Sequence, residues 1–156
     1  MYSVTNRRKV PYPLEKVFQT IKEFPSLSTL LPDHQKVKEL ERKKGVVYIE
    51  RTVPMQFGVF SDQGKPYSFR SSFEVDEENK KIYFQELDPV KPVIEMKGWW
   101  EFIEQDQGVE ISLNHQYDLD VFFVVKPFIA ALVGKVFIRK NAQKELMLME
   151  HLIANN

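Results

Sequence analysis

EMKGWWEFIEQDQGVEISLNHQYDLDVFF, residues Glu95 to Phe123, is the stretch that decides the fold. It contains two runs in which apolar and polar residues alternate, and the turn sequence QDQG separates them. Such alternation predicts two antiparallel strands, each with one buried and one exposed face. His115 falls among the apolar positions of the second strand. A histidine there is either a hydrogen-bonded core residue or a sign that the space behind the sheet is not solid core.

Four more strands are predicted before this pair, and together they form a meander. The segments HQKVKELERKK, VVYIERTVPMQF, KPYSFRSSFEV and KIYFQELD are joined by short loops. Short loops between alternating segments favour antiparallel neighbours. Residues 2–10 form a further strand, so the predicted sheet has seven strands.

Helical segments flank the predicted sheet on both sides. PLEKVFQTIKEF has apolar residues at helical spacing with Pro13 in its first turn, and SLSTLLP predicts one or two further turns. From Pro127 the helical period returns. We therefore predict an α+β fold in which a seven-stranded curved antiparallel sheet wraps around a long C-terminal helix, with two short helices after the first strand. The apolar stripe of the last helix consists of Ile138, Ala142, Leu146, Met149 and Ile153.

Composition limits the classes of function. The chain has 156 residues, and we expect one domain over residues 1–156. Lys plus Arg and Asp plus Glu both number 22, so the chain lacks the excess of basic residues that is typical of nucleic-acid binding. There is no cysteine, and the three histidines lie far apart in sequence, so we expect no metal site and no cofactor. The N-terminus has no apolar signal segment, and we expect a soluble, cytoplasmic protein.

Alternation also assigns the inward face of the sheet. Its positions carry mostly rings and aliphatic side chains with a few polar groups among them, which is typical of a cavity for an apolar ligand. The expected ligand-binding residues are Tyr67, Phe69, Ser71, Phe73, Met96, Trp100, Leu113, His115, Tyr117, Val133 and Phe137.

Two charged residues have an orientation that alternation leaves open. Arg51 falls on the inward side, but a bulge near Pro54 would turn it outward to pair with a surface carboxylate, and we slightly favour that outward position. Glu86 lies on a strand whose two faces are alike, and we expect it to be outward and solvated. An inward position would instead bury the Glu86 carboxyl and raise its pKa.

The order of the elements and several segments resemble the START-like, or SRPBCC, superfamily, whose members share the helix-grip fold. VPYPLEKVFQTIKEFPSLSTLLPDHQKVKELER resembles the beginning of such domains. YSFRSSFEVDEENKKIYFQEL and GWWEF are similar to the middle of the polyketide aromatase/cyclase and coenzyme Q-binding branch, and FIRKNAQKELMLMEHLI is similar to its last helix. The resemblance covers the whole chain. It implies that a lipid, an isoprenoid quinone or a polyketide binds between the sheet and the C-terminal helix.

The resemblance also implies which side chains catalysis would require. Aromatase/cyclases are thought to hold a poly-β-keto chain with arginine, tyrosine and serine side chains. Two of those arginines fall at Phe73 and near Gln85 or Glu86 in this chain, so both are absent. Other pocket positions of the family are occupied by Tyr67, Ser71, Trp100 and Arg139.

Three hypotheses of function follow. The first is binding of a hydrophobic small molecule in the cavity. The second is an aromatase/cyclase-like enzyme that catalyses aldol cyclisation or dehydration, with His115, Arg51 and Tyr67 as catalytic candidates. The third is a protein-interaction domain without a ligand. The apolar start of the last helix, Phe128 to Phe137, leaves four roles open: core packing, a cavity gate, a peripheral membrane contact and a homodimer interface.

Overall fold

Seven strands form one antiparallel sheet, as the sequence predicts. The computed structural model describes residues 1–24, 36–54 and 66–156, without the side chains of residues 53, 54, 66 and 67. The strands are β1 (Tyr2–Val10), β2 (Lys36–Lys43), β3 (Val46–Pro54), β4 (Pro66–Asp76), β5 (Lys81–Glu86), β6 (Val93–Gln105) and β7 (Gly108–Leu119). Their order across the sheet is β1-β7-β6-β5-β4-β3-β2. The meander from β2 to β7 is thus continuous, and β1 pairs with β7 at the opposite edge from β2.

The helices pack on the inward side of the sheet. Helix α1 (Leu14–Glu23) follows Pro13, whose extended backbone starts the first turn. The C-terminal helix consists of α2 (Lys126–Leu132), a π-helical segment (Val133–Ile138) and α3 (Arg139–Ala154). The predicted second short helix lies outside the described residues. All members of the predicted C-terminal stripe are buried, namely Ile138, Ala142, Leu146, Met149 and Ile153. Within the described ranges, no helix has the length and apolar composition needed to cross a membrane.

The apolar interior is divided into two clusters. The larger cluster joins α1 and α3 to the sheet and includes Phe18, Trp100 and Leu113. The smaller cluster lies under the start of the C-terminal helix and includes Tyr117 and Leu119. Because inward residues on a strand are two positions apart, His115 stands between Leu113 and Tyr117 on β7. His115 therefore lies at the boundary between the two clusters.

The strand register settles both orientations that the sequence left open. Arg51 is 8% exposed and points inward, so the outward position favoured for it was wrong. Glu86 also points inward, on the same face of β5 as buried Ile82, because Gln85 and Leu87 occupy the exposed face. The expectation that Glu86 is solvated was therefore wrong. Ile94 is 50% exposed because a bulge between Val93 and Glu95 turns it out.

Gly98 makes room for the aromatic wall beside His115. It pairs with Phe84 on one side and with His115 on the other. A Cβ atom at Gly98 would lie 1.8 Å from the backbone oxygen of Asn114 and 2.6 Å from Cζ of Phe84. The ring of Phe84 thus leans over the glycine and meets the His115 ring edge to face at 5.2 Å. A residue with a side chain at position 98 would displace this wall.

We expect Gly98→Ala to destabilise the fold by about 3 kcal/mol, because the backbone oxygen it meets cannot rotate away. Gly45→Ala is the matched control: it has open space but a positive φ of 83°, so only a backbone cost of about 1 kcal/mol applies. Urea unfolding measures both. Equal losses for the two variants would contradict the steric role of Gly98.

Candidate functional site

Inward side chains from five strands and α3 surround a small, largely enclosed cavity. Its volume is about 40 Å³, enough for only a few water-sized groups. Polar and charged groups from four strands and the helix meet there, in a protein whose interior is otherwise mostly apolar. The lining residues are Arg51, Phe69, Ser71, Phe73, Phe84, Glu86, Trp100, Leu113, His115 and Glu145.

Arg51 connects the sheet to the C-terminal helix across this cavity. Its Nη1 donates to Oε1 of Glu145 at 3.3 Å, with both side chains largely withdrawn from water. The guanidinium also lies over the rings of Phe24 and Phe69, at 5.1 and 5.7 Å from their centroids. A carboxylate and two ring faces are the surroundings that let an arginine stay charged in an interior.

His115 is held neutral. Burial lowers the pKa of its imidazole to about 4, so the ring carries no charge at neutral pH. Its Nδ1 is buried and has no hydrogen-bond partner among the described residues. A neutral ring nitrogen can donate or accept one hydrogen bond, depending on the tautomer. His115 therefore lines the cavity and carries a buried polar atom without a partner among the described residues.

Glu86 brings a carboxyl with a raised pKa into the cavity. Burial raises the pKa of its carboxyl to about 7; the Arg51 charge opposes this shift, and the Glu145 charge adds to it. A carboxyl whose pKa lies near the working pH can both take up and release protons. Within the described part of the chain, no group of three histidine or carboxylate side chains is arranged to hold a metal ion.

The structure gathers most of the predicted site residues, though not all of them. Seven line the cavity: Arg51, Phe69, Ser71, Phe73, Trp100, Leu113 and His115. Four pack instead in or against the smaller apolar cluster: Met96, Tyr117, Val133 and Phe137. The backbone of Tyr67 belongs to β4, but its side chain lies outside the described residues.

Three lining residues were missed as ligand-binding positions: Phe84, Glu86 and Glu145. Phe84 and Glu86 follow Ile82 at every second position, so their shared face is readable once Ile82 is known to be buried. Glu145 lies three residues after Ala142 and four before Met149, which places it on the buried side of the helix. The alternation signal for β5 was present, but both faces of that strand looked alike.

A second, wider groove lies between β1 and the start of the C-terminal helix. Its volume is about 340 Å³, and none of the described residues that line it is acidic. Tyr117 closes the floor, where its hydroxyl donates to the backbone oxygen of Ala130 at 2.7 Å. The lining residues are Tyr2, Ser3, Val4, Thr5, Tyr117, Pro127, Ala130, Ala131, Gly134, Lys135 and Arg139. Arg139, a pocket position in the resemblance, is thus in this groove and not in the cavity.

Glu86 and His115 should affect the pH dependence of stability in opposite directions. The pKa of Glu86 rises from 4.5 to about 7 on folding, so the fold loses stability as the pH rises through this window. The pKa of His115 falls from 6.5 to about 4, so the fold loses stability as the pH falls through that window. The two effects oppose each other where the windows overlap.

In Glu86→Gln only the His115 effect remains, so we expect the free energy of unfolding to rise with pH up to about pH 6.5. In His115→Gln only the Glu86 effect remains, so we expect the free energy of unfolding to fall with pH up to about pH 7. Each change should amount to about 2 kcal/mol, less than the full shift because water screens the cavity mouth. Urea unfolding at several pH values measures this, with Glu104→Gln and His151→Gln as exposed controls. Parallel curves for wild type and both cavity variants would contradict the assignment.

Solved structures of other proteins have the same fold. No curated protein sequence matches the chain significantly. The Zhui aromatase/cyclase of Streptomyces sp. R1128 is 17% identical over 98% of this chain and 93% of its own, with a TM-score of 0.77. A Thermus thermophilus protein is 19% identical over 99% and 98%, with a TM-score of 0.75. The norcoclaurine synthase of Thalictrum flavum is 14% identical over 99% and 87%, with a TM-score of 0.71.

These identities show a shared fold, whereas the family assignment rests on a sequence model. The model of the family described as polyketide cyclase / dehydrase and lipid transport matches residues 10–144. That match contains β2 to β7 and the first part of the C-terminal helix, and therefore every residue that lines the cavity except Glu145. The chain belongs to the polyketide cyclase / dehydrase and lipid transport family of the START-like (SRPBCC) superfamily.

Proposed function

We propose that this protein binds a hydrophobic small molecule between the sheet and the C-terminal helix, with the polar group of that molecule held in the cavity. The observation that carries the proposal is Nδ1 of His115, which is buried without a partner among the described residues, on a side chain that lines the cavity together with Glu86 and Ser71. A buried polar atom without a partner is costly, and a ligand oxygen would satisfy it. A ketone would accept a hydrogen bond from this ring, and a hydroxyl would donate one to it.

The charges of the cavity favour an uncharged polar group. Arg51 and Glu145 are of opposite sign and in contact, His115 is neutral, and Glu86 is partly ionised at neutral pH. A carboxylate ligand would therefore add negative charge to a site whose arginine is already paired with a carboxylate. A quinone or polyketide, with ketone and hydroxyl groups, fits this site better than a fatty acid does.

The cavity is small, so side chains around it must move when a ligand binds. Pockets for small molecules typically measure about 300–1,000 Å³, whereas this cavity holds about 40 Å³. The cavity therefore takes the polar end of a ligand, and its apolar body requires the surrounding side chains to rearrange. Phe69 and Phe84 are the lining rings that are only half-buried, so they are the walls that can rotate.

We expect a short-chain quinone to bind saturably and to lose about tenfold in affinity on His115→Ala, the loss of one buried hydrogen bond. His151→Ala, an exposed histidine on α3, should leave affinity unchanged. Fluorescence titration measures affinity, and native mass spectrometry after gentle purification detects a copurified ligand. Absence of any bound mass, together with no saturable binding of quinones, polyketides or fatty acids, would refute the proposal.

Catalysis is the second candidate, and Glu86 is the observation that favours it. A carboxylate with a pKa near 7 can remove a proton from the carbon between two ketones of a polyketide. The resulting enolate carbon can attack a further ketone and form a carbon–carbon bond. The protonated Glu86 then returns its proton to the new alkoxide. His115 would donate to the reacting ketone oxygen. This assigns the base to Glu86 and not to His115, whose low pKa makes it a weak base.

A carrier-bound poly-β-keto chain tests the second candidate. We expect wild-type protein to change the cyclised products and Glu86→Gln to slow this by about a hundredfold or more, the usual contribution of a general base. Glu104→Gln serves as the exposed control. If the product spectrum with wild-type protein equals that without protein, the enzyme hypothesis fails, and the binding proposal is unaffected.

A further inference from the structure

One end of the protein has an unusually exposed aromatic surface. Phe122, Phe123 and Phe128 are 70%, 75% and 77% exposed, although phenylalanine is among the residue types most often buried. Leu132 and Val136 follow Phe128 at four-residue intervals and are exposed as well. The apolar start of the C-terminal helix is thus divided: Ala130, Val133 and Ile138 are core, and the opposite side faces solvent. We call the exposed set, Phe122 to Val125 with Phe128, Leu132 and Val136, the apolar end.

The apolar end lies at the end of the sheet where Glu86 closes β5. Antiparallel pairing brings the end of β7 beside the start of β6 there, with Leu119 opposite Val93. The backbone N–H of Asp120 donates to the oxygen of Pro92 at 2.9 Å, which ties the loop before β6 to the segment that leads into the helix. That loop adds Val90, which is 50% exposed. The apolar end therefore lies beyond the smaller apolar cluster, on one side of the polar cavity.

Basic side chains accompany the apolar end on the same helix. Lys135 and Arg139 are exposed, line the wide groove beside β1, and form no ion pair with a described residue. Two acidic groups lie nearby: Asp118, which pairs with Lys126 at 2.8 Å and whose pKa this pairing lowers, and Asp120, which is exposed. Lys135 and Arg139 therefore add positive charge beside the exposed apolar side chains of the helix.

We propose that the apolar end docks on the surface of a bilayer that contains anionic phospholipids, with the phenylalanines inserted among the acyl chains and Lys135 and Arg139 against headgroup phosphates. Helices that lie in a membrane interface combine aromatic residues on one side with basic residues beside them. The groove that holds Lys135 and Arg139 is lined by no acidic residue of the described ranges and so complements an anionic headgroup. This inference rests on the proposed binding of a hydrophobic molecule, for which a bilayer is the natural source.

Sedimentation with lipid vesicles tests the docking. We expect binding to phosphatidylcholine vesicles that contain phosphatidylglycerol, and much less to phosphatidylcholine alone. The double variant Lys135→Gln, Arg139→Gln should weaken binding by about tenfold or more, since each cation near an anionic surface contributes severalfold. The double variant Phe122→Ser, Phe128→Ser should abolish it. All four positions are exposed, so the folded state is retained, which circular dichroism checks.

Matched controls separate docking through the apolar end from nonspecific adsorption to vesicles. Lys38→Gln, Lys43→Gln removes two exposed cations from β2, and Met147→Ser removes an exposed apolar side chain from α3. Both should bind vesicles as wild type does. His115→Ala should also bind vesicles normally, while the phenylalanine variants should retain quinone binding in solution, so the two proposals fail separately. Equal binding to both vesicle types would overturn the docking proposal. So would vesicle-independent dimerisation that is lost with Phe128→Ser, because the apolar end would then cover a second copy.

Discussion

The ion pair between Arg51 and Glu145 is the interaction on which the interior of this protein depends. It joins the third strand to the last helix at a depth where both side chains have lost most of their water. An isolated buried charge would be destabilising by several kcal/mol, so each partner requires the other. The helix and sheet consequently meet here through a polar contact, and apolar packing is interrupted. The cavity lies at this break in the apolar packing, and the break leaves room for a glutamate and a histidine.

The interrupted packing explains the chemical character of the cavity. An apolar cluster lies on either side of it, so Glu86 and His115 are poorly hydrated without being fully paired. Low hydration disfavours charge on both groups, which raises one pKa and lowers the other. The same environment thus yields a carboxyl that titrates near neutrality and an imidazole that does not. Gly98 is part of this arrangement because it lets Phe84 reach the histidine ring.

The proposed function rests on the residues of this chain, because family membership alone leaves more than one activity open. The family name covers both cyclisation and lipid transport. Phe73 and Glu86 stand where the resemblance places cyclase arginines or their neighbours, so positive charge is missing from those positions. What remains suits an uncharged oxygen of an apolar molecule, and the exposed rings of the apolar end suit the surface from which such a molecule comes. Ligand binding and membrane docking thereby form one consistent interpretation of two separate features.

The sequence by itself determined the architecture of this protein, because strand alternation and helical spacing are local patterns that burial enforces. The seven strands, the first helix and the buried stripe from Ile138 to Ile153 could all be predicted. Much of the proposed site could be predicted as well, since those residues share one face of the sheet. Only the tertiary structure decided that Arg51 and Glu86 point inward, that Glu145 meets Arg51, and that Tyr117 lies in a separate groove. Each of these depends on which side chains face each other across the space between the sheet and the helix. Arg51 and Glu145 are 94 positions apart, so no local sequence pattern indicates their contact.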